Sequence, residues 1–145
     1  MNLLKNLQID YAGAAVGLSS SIDDNTTIFD MQGFDGIMFL TTITDSVTSG
    51  IATLKVEENT ANSDSGMAAI TGASAAKTCT SSDDINGKTL IVDVYRPLKR
   101  YVQGVRTSSA ANIAFGEVQA IRYRGKSKPV TQGATCANSV SAIGS

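Results

Sequence analysis

The sequence predicts an all-β fold: an antiparallel β-sandwich of jelly-roll type, with about eight short strands and extended terminal segments. Three observations lead there. Short runs rich in Ile, Val, Thr, Phe and Tyr recur along the 145 residues, separated by turn residues about every eight to fifteen positions. No stretch carries the 3.6-residue apolar period of an amphipathic helix. A chain of this length also fits one domain, in which many short strands close into a sandwich or barrel, and eight strands suit a jelly roll. Folding would leave about 7,000 Å² exposed out of roughly 22,000 Å², so a core forms without disulfide or metal staples.

The elements follow in order. Leu7–Ala12 offers a first pairing segment, and Thr27–Met31 is short and β-rich. Residues 36–44 are apolar on both faces, as in a strand buried between two layers. Residues 51–57 alternate, with Ala52, Leu54 and Val56 expected inward and Thr53, Lys55 and Glu57 outward. Ser46 to Gly50 supplies a turn, so these two strands look like a hairpin. Glu58 to Asp84 reads as a polar loop pair around one brief strand at Met67–Ile70. Asn86-Gly87 is a turn dipeptide, because both residues tolerate positive φ. Thr89–Tyr95 is the strongest strand, stopped by Pro97, which has no N–H for a ladder. Arg100–Thr107 and Asn112–Arg124 complete the set. In the last, Ile113, Phe115, Ile121 and Tyr123 are expected on one face with Glu117 and Gln119, and Ala114, Val118 and Ala120 on the other. Residues 1–129 thus form a single domain. The small, aperiodic stretch 130–145 reads as an extended or flexible arm.

The net charge of −1 conceals a segregation. Residues 1–94 hold four basic and twelve acidic residues, a net of −8. Residues 95–145 hold eight basic residues against Glu117 alone, a net of +7. Such asymmetry suits an oppositely charged partner surface or a second copy of the chain, and it also suits pairing of the two parts inside one fold. Arg106 in particular reads equally as an internal ion-pair partner.

Enzyme chemistry finds little support. With no His, the commonest general base and metal ligand are missing. Asp23-Asp24 and Asp83-Asp84 are acidic pairs in turn-like sequence without EF-hand spacing, and the glycines make no phosphate-cradling pattern. Cys79 and Cys136 have no CxxC partner and are read as either two free thiols or one bridge. No cofactor or metal is expected. Residues 1–21 lack the uninterrupted apolar core of a secretory signal, and no run approaches the ~20 apolar residues of a membrane span, so no membrane partner is expected.

One segment stands out. Val92-Asp93-Val94-Tyr95-Arg96-Pro97-Leu98-Lys99-Arg100-Tyr101-Val102 places cations, aromatics and a proline between two strands, which makes a rigid basic corner. Arg and Lys beside aromatic rings suit single-stranded nucleic acid, but the acidic two-thirds of the same domain opposes attraction to a polyanion. An acidic protein surface is the favoured partner. The residues expected at that interface are Arg96, Lys99, Arg100 and Tyr101, then Arg122, Arg124, Lys126 and Lys128.

The run Leu90 to Val102, followed by Ala120-Ile121-Arg122-Tyr123 and Lys126-Ser127-Lys128-Pro129-Val130, resembles small structural proteins of tailed-phage head modules, among them jelly-roll capsid cement or decoration proteins. The resemblance spans roughly residues 34–132 and is most specific at the Tyr-Arg-Pro…Lys-Arg-Tyr corner. It implies a virion protein made in the host cytoplasm and located on the capsid exterior. There it would cement adjacent copies of the major capsid protein, acting as a dimer or trimer and carrying no catalytic residue. A tail, baseplate or head–tail connector component, and a β-sandwich module for glycan or nucleic acid, are the alternatives.

Overall fold

The computed structural model describes residues 2–144; Met1 and Ser145, the outer ends of the expected domain and arm, lie outside the described residues. After a single 3-10 turn at Leu3–Asn6 come β1 (Leu7–Gly13), β2 (Val16–Ser19), β3 (Asp23–Asn25), β4 (Phe29–Asp30), β5 (Gly36–Ser46), β6 (Ile51–Asn59), β7 (Ala68–Thr78), β8 (Thr89–Tyr95), β9 (Tyr101–Ser109) and β10 (Ile113–Tyr123). They build two antiparallel sheets. One runs β1-β10-β5-β8 with β2 also on β10, and the other runs β3-β9-β6-β7 with β4 also on β9.

The connectivity is that of a jelly roll. Because β2 pairs with β10 as β1 does, and β3 and β4 share β9, the ten segments fill eight strand positions. Their partners are nested: β1 with β10, β3 and β4 with β9, β5 with β8, and β6 with β7. That is one long hairpin rolled up so that alternate pairs fall in alternate sheets. The sandwich fold class is the one the sequence predicts.

The inner faces supply the core. Ile37, Phe39 and Ile43 of β5, Leu90, Val92 and Val94 of β8, and Phe115, Val118 and Ala120 of β10 meet Ala52, Leu54 and Val56 of β6 and Val102 of β9. Phe29 packs edge-on against Phe39 at 5.8 Å. The β6 alternation is as expected, with Ala52, Leu54 and Val56 buried and Thr53, Lys55 and Glu57 half-buried outside.

Four local expectations need correction. First, β5 and β6 are not a hairpin. They lie in different sheets, and residues 47–50 form a corner between the layers, closed by the Gly50 N–H on the Val47 carbonyl at 2.9 Å. A tight turn leads as readily across a sandwich as along one sheet, and sequence alone does not distinguish the two. Second, the brief strand at Met67–Ile70 is the start of the eleven-residue β7. Ala, Ser, Thr and Gly compose most of it and only Ala73 is buried, so no apolar alternation announced it. Backbone pairing with β6 makes it a strand.

Third, β10 changes phase. Its register slips between Phe115 and Val118, so Ile113 and Phe115 point inward before the slip, and Val118 and Ala120 after it. Ile121 and Tyr123 therefore share a face with Glu117 and Gln119, but not with Ile113 and Phe115. The carbonyls released at the bulge are satisfied from inside: Arg106 Nη1 donates to Gly116 O at 2.6 Å, and Thr41 Oγ1 donates to Gly116 O and Glu117 O at 3.3 and 3.2 Å. Fourth, the strands are not uniformly short, since β5, β7 and β10 have eleven residues each.

Beyond Val130 the described chain has no strand, yet it runs along β1, an edge of its sheet. Gln132 accepts from the Ile9 N–H at 2.9 Å and donates to Leu7 O at 2.8 Å, while Thr135 Oγ1 accepts from the Tyr11 N–H at 3.2 Å. Side chains of the tail thus occupy backbone groups that an open edge would offer to another strand.

Candidate functional site

The basic corner forms where β8 ends. Arg96 adopts a left-handed backbone with φ 52° and donates its N–H to Asp35 O at 2.7 Å, and Pro97 cannot extend the ladder. The loop returns through the Lys99 N–H, which donates to Glu58 Oε2 at 3.1 Å, and enters β9. The Lys126 N–H donates to Gly33 O at 2.8 Å and so brings the segment after β10 alongside. Between these segments lies an open groove of about 650 Å³, lined by Met31 and Phe34, by Gln32 and Asp35, and by the cations Arg96, Lys99, Arg100 and Lys126. Leu98 stands at its edge, 93% exposed.

The structure sorts the eight expected interface residues into groups. Arg96, Lys99, Arg100 and Lys126 come together at the groove. Arg100 is largely engaged: its Nε and Nη2 grip Asp30 Oδ1 and Oδ2 at 2.8 Å each, and Nη2 also donates to Gln32. The Arg100 hydrogen bond holds the Asp30 carboxyl down at about 2, and Asp30 in turn raises the Arg100 guanidinium. Tyr101 is half-buried under that guanidinium, 5.2 Å from its ring centroid. Arg124 lies outside the groove, 3.4 Å from Asp35 and 3.3 Å from the Tyr95 hydroxyl. Lys128 is exposed and does not line the groove.

Arg122 lies inside. Its Nη2 donates to Asp10 Oδ2 at 2.9 Å and its Nη1 to Asp30 O at 3.0 Å, with the Phe29 and Phe34 ring centroids 5.4 and 4.9 Å from the guanidinium carbon. Arg106 is fully buried and donates to Ala14 O, Gly116 O and Asp24.

Four cations of the basic third, Arg100, Arg106, Arg122 and Arg124, thus pair with Asp30, Asp24, Asp10 and Asp35 of the acidic two-thirds. Half of the charge segregation is consumed by folding. Among the described residues Arg96, Lys99, Lys126 and Lys128 form no salt bridge, and three of these four rim the groove.

Such a groove can do simple chemistry. It offers fixed positive charge for carboxylates and an exposed Leu side chain whose burial in a partner's pocket would contribute about 1.5–3 kcal/mol. Reading by charge alone missed Leu98. Its signal was a large apolar residue stranded in a short charged loop, outside any strand period. Both cysteines are free, Cys79 buried and Cys136 half-buried. Among the described residues no group of three or more His, Cys, Asp or Glu side chains converges, and no helix is long and apolar enough to cross a membrane.

The architecture defines a class, the antiparallel jelly-roll sandwiches, and solved structures give it particular neighbours. The chain superposes on the PBSX exported protein XepA with a TM-score of 0.52 at 16% identity, over 99% of this chain and 45% of that one. It therefore spans a little under half the length of XepA, and at this identity the likeness is one of fold. A CBM4 structure aligns at TM-score 0.44 and 12% identity, covering 83% of this chain and 88% of that one. The enzymatically active domain of bacteriophage CBA120 tailspike protein 4 aligns at TM-score 0.37 and 12% identity, covering 81% and 19%. Scores below 0.5 do not establish a shared fold for the latter two. No protein-family model matches the sequence, and no curated protein matches it.

Proposed function

We propose that this chain is a non-enzymatic structural protein of a phage particle, which binds the outside of the capsid and cements adjacent major capsid protein subunits. The observation that carries the reading is the groove: three cations without internal carboxylate partners line it with Met31 and Phe34, beside a 93% exposed leucine. A fixed loop presenting charge and one protruding anchor is built for a protein surface, since anchors of this kind concentrate binding energy in few residues. The Tyr-Arg-Pro…Lys-Arg-Tyr corner, which carries the resemblance to decoration proteins, is the loop that forms this rim. A protein that binds the assembled shell more tightly than free subunits stabilises the shell by mass action.

Particles are purified from a producing host and the copy number of this chain is measured against the major capsid protein. Cement requires comparable numbers of the two; a number far below points to a tail or connector component. In reconstitution, Arg96→Glu combined with Lys126→Glu should empty the shell of this chain, and Leu98→Ala should weaken binding with charge unchanged. Full occupancy by the folded charge-reversed protein would refute the groove as the contact. Salt-dependent retention of the chain on DNA would favour the nucleic-acid alternative.

A further inference from the structure

The two sheets differ on their outer faces. On the β3-β9-β6-β7 sheet the outward positions include Gln103, Val105, Thr107, Thr53, Lys55 and Glu57; Gln103 and Val105 are buried, and the Gln103 side chain bonds Asp64 of the loop that follows β6. On the other sheet, strand register lines up three rows: Leu7–Tyr123–Gly36–Tyr95, Ile9–Ile121–Met38–Asp93 and Tyr11–Gln119–Leu40–Ile91. Nine of these twelve are Leu, Ile, Met or Tyr. Tyr123 lies across Gly36, where a Cβ would collide with its ring, and its hydroxyl donates to Asp93 at 2.6 Å. Asp93, the carboxylate within these rows, is thereby engaged, and at the β1 edge Ile9, Tyr11 and Gln119 line a pocket with residues of the tail. Ile9, Tyr11, Ile91 and Tyr95 are 38%, 40%, 53% and 49% exposed.

The ends of this face are charged with opposite signs. At the Tyr95 end stand Arg96, Arg124 and Lys126, with Asp35 paired to Arg124; at the other stand Glu117, Asp45, Asp83 and Asp84, with Lys88. We propose that the face is the interface of a two-fold dimer between copies of this chain. The axis lies in the interface, across the strands, and passes between the Ile121–Met38 and Ala120–Phe39 rows. A rotation there reverses strand direction in the facing copy and sets positive ends over negative ones. The register makes the match specific. On β10 the axis falls between Ala120 and Ile121, so Arg124 of one copy stands over Glu117 of the other, and the pair occurs twice. Four strands about 4.8 Å apart and some six residues long give an apolar patch about 20 Å square. That patch supplies the apolar centre, and the charged ends the polar rim, of an interface of about 800 Å² per partner. One cationic groove then lies at each end of the dimer, so a single dimer can bridge two partner subunits.

The test is a charge swap on the full chain, read by sedimentation equilibrium. Glu117→Arg and Arg124→Glu should each weaken the dimer by about tenfold or more, because attraction becomes repulsion at two symmetric points. The double variant, with the charges exchanged, should return to within about threefold of the parent, and the parent dimer should weaken with added salt. Ile91→Glu, at an outward position on an edge strand, should abolish the dimer while circular dichroism shows the fold intact. The proposal fails if the parent is monomeric at high concentration or closes into a ring of three or more. It also fails if the swapped double variant is no better than the single ones, or if folded Ile91→Glu still dimerises.

Discussion

Replacing Arg122 with Met should destabilise the fold by about 3 kcal/mol. The side chains of Arg122 and Asp10 are only 14% and 9% exposed, and they meet at 2.9 Å. Taking away the guanidinium strands the Asp10 carboxylate, releases the Asp30 carbonyl and removes a cation from between Phe29 and Phe34. Breaking a buried pair by deleting one partner costs about 3–5 kcal/mol. Asp10 keeps hydrogen bonds from Gln8 and Thr135, both at 3.1 Å, and Met refills the apolar volume, which places the cost at the low end. In a chain of this size each kcal/mol is worth roughly 3–4 °C, so Tm should fall by about 10 °C. Adding Asp10→Asn removes the stranded charge and should return about half of the loss. Urea unfolding followed by far-ultraviolet circular dichroism at neutral pH measures both values. A loss below about 1 kcal/mol, or no recovery in the double variant, would refute a structural role for this pair.

Two further outcomes follow. Burial, and then the hydrogen bond to Asp93, raise the Tyr123 phenol above its usual range. Its contribution to stability is complete below about pH 10, the unfolded value, and is lost as pH rises through the higher folded value. Tyr123→Phe should flatten the alkaline fall in stability measured by denaturant unfolding; an unchanged fall assigns it to other groups. Gln132→Ala with Thr135→Ala uncovers the edge of β1, so the Ile9 and Tyr11 amides should exchange hydrogen about tenfold faster or more, and association at high concentration should rise. Unaltered exchange at both amides would mean the tail does not protect that edge.

Much of the fold was legible because β-structure on a core has a period of two. Ala52, Leu54 and Val56, and Leu90, Val92 and Val94, alternate with polar or solvent-facing neighbours and are buried as their alternation requires. β7 was illegible because an edge strand of small residues carries no period and is defined by the neighbour it pairs with. The phase of β10 was illegible because one bulge moves every later side chain to the other face. The candidate site was half legible. Arg96, Lys99 and Arg100 are neighbours in a Pro-containing loop, whereas Lys126 joins them through a hydrogen bond to Gly33, and no local pattern announces that contact.

The sequence by itself determined the strand-forming character of the chain, its stops at Pro97 and in the Asn86-Gly87 turn, and the division of charge into an acidic two-thirds and a basic third. Those properties are set by residue types and near neighbours. The tertiary structure decided what the charges are for. Arg100, Arg106, Arg122 and Arg124 are drawn into pairs with aspartates some 70 to 110 positions away. Arg96, Lys99 and Lys126 are left at one groove. Coulomb energy depends on separation and on exclusion of water, and both are fixed only when the two sheets close on each other.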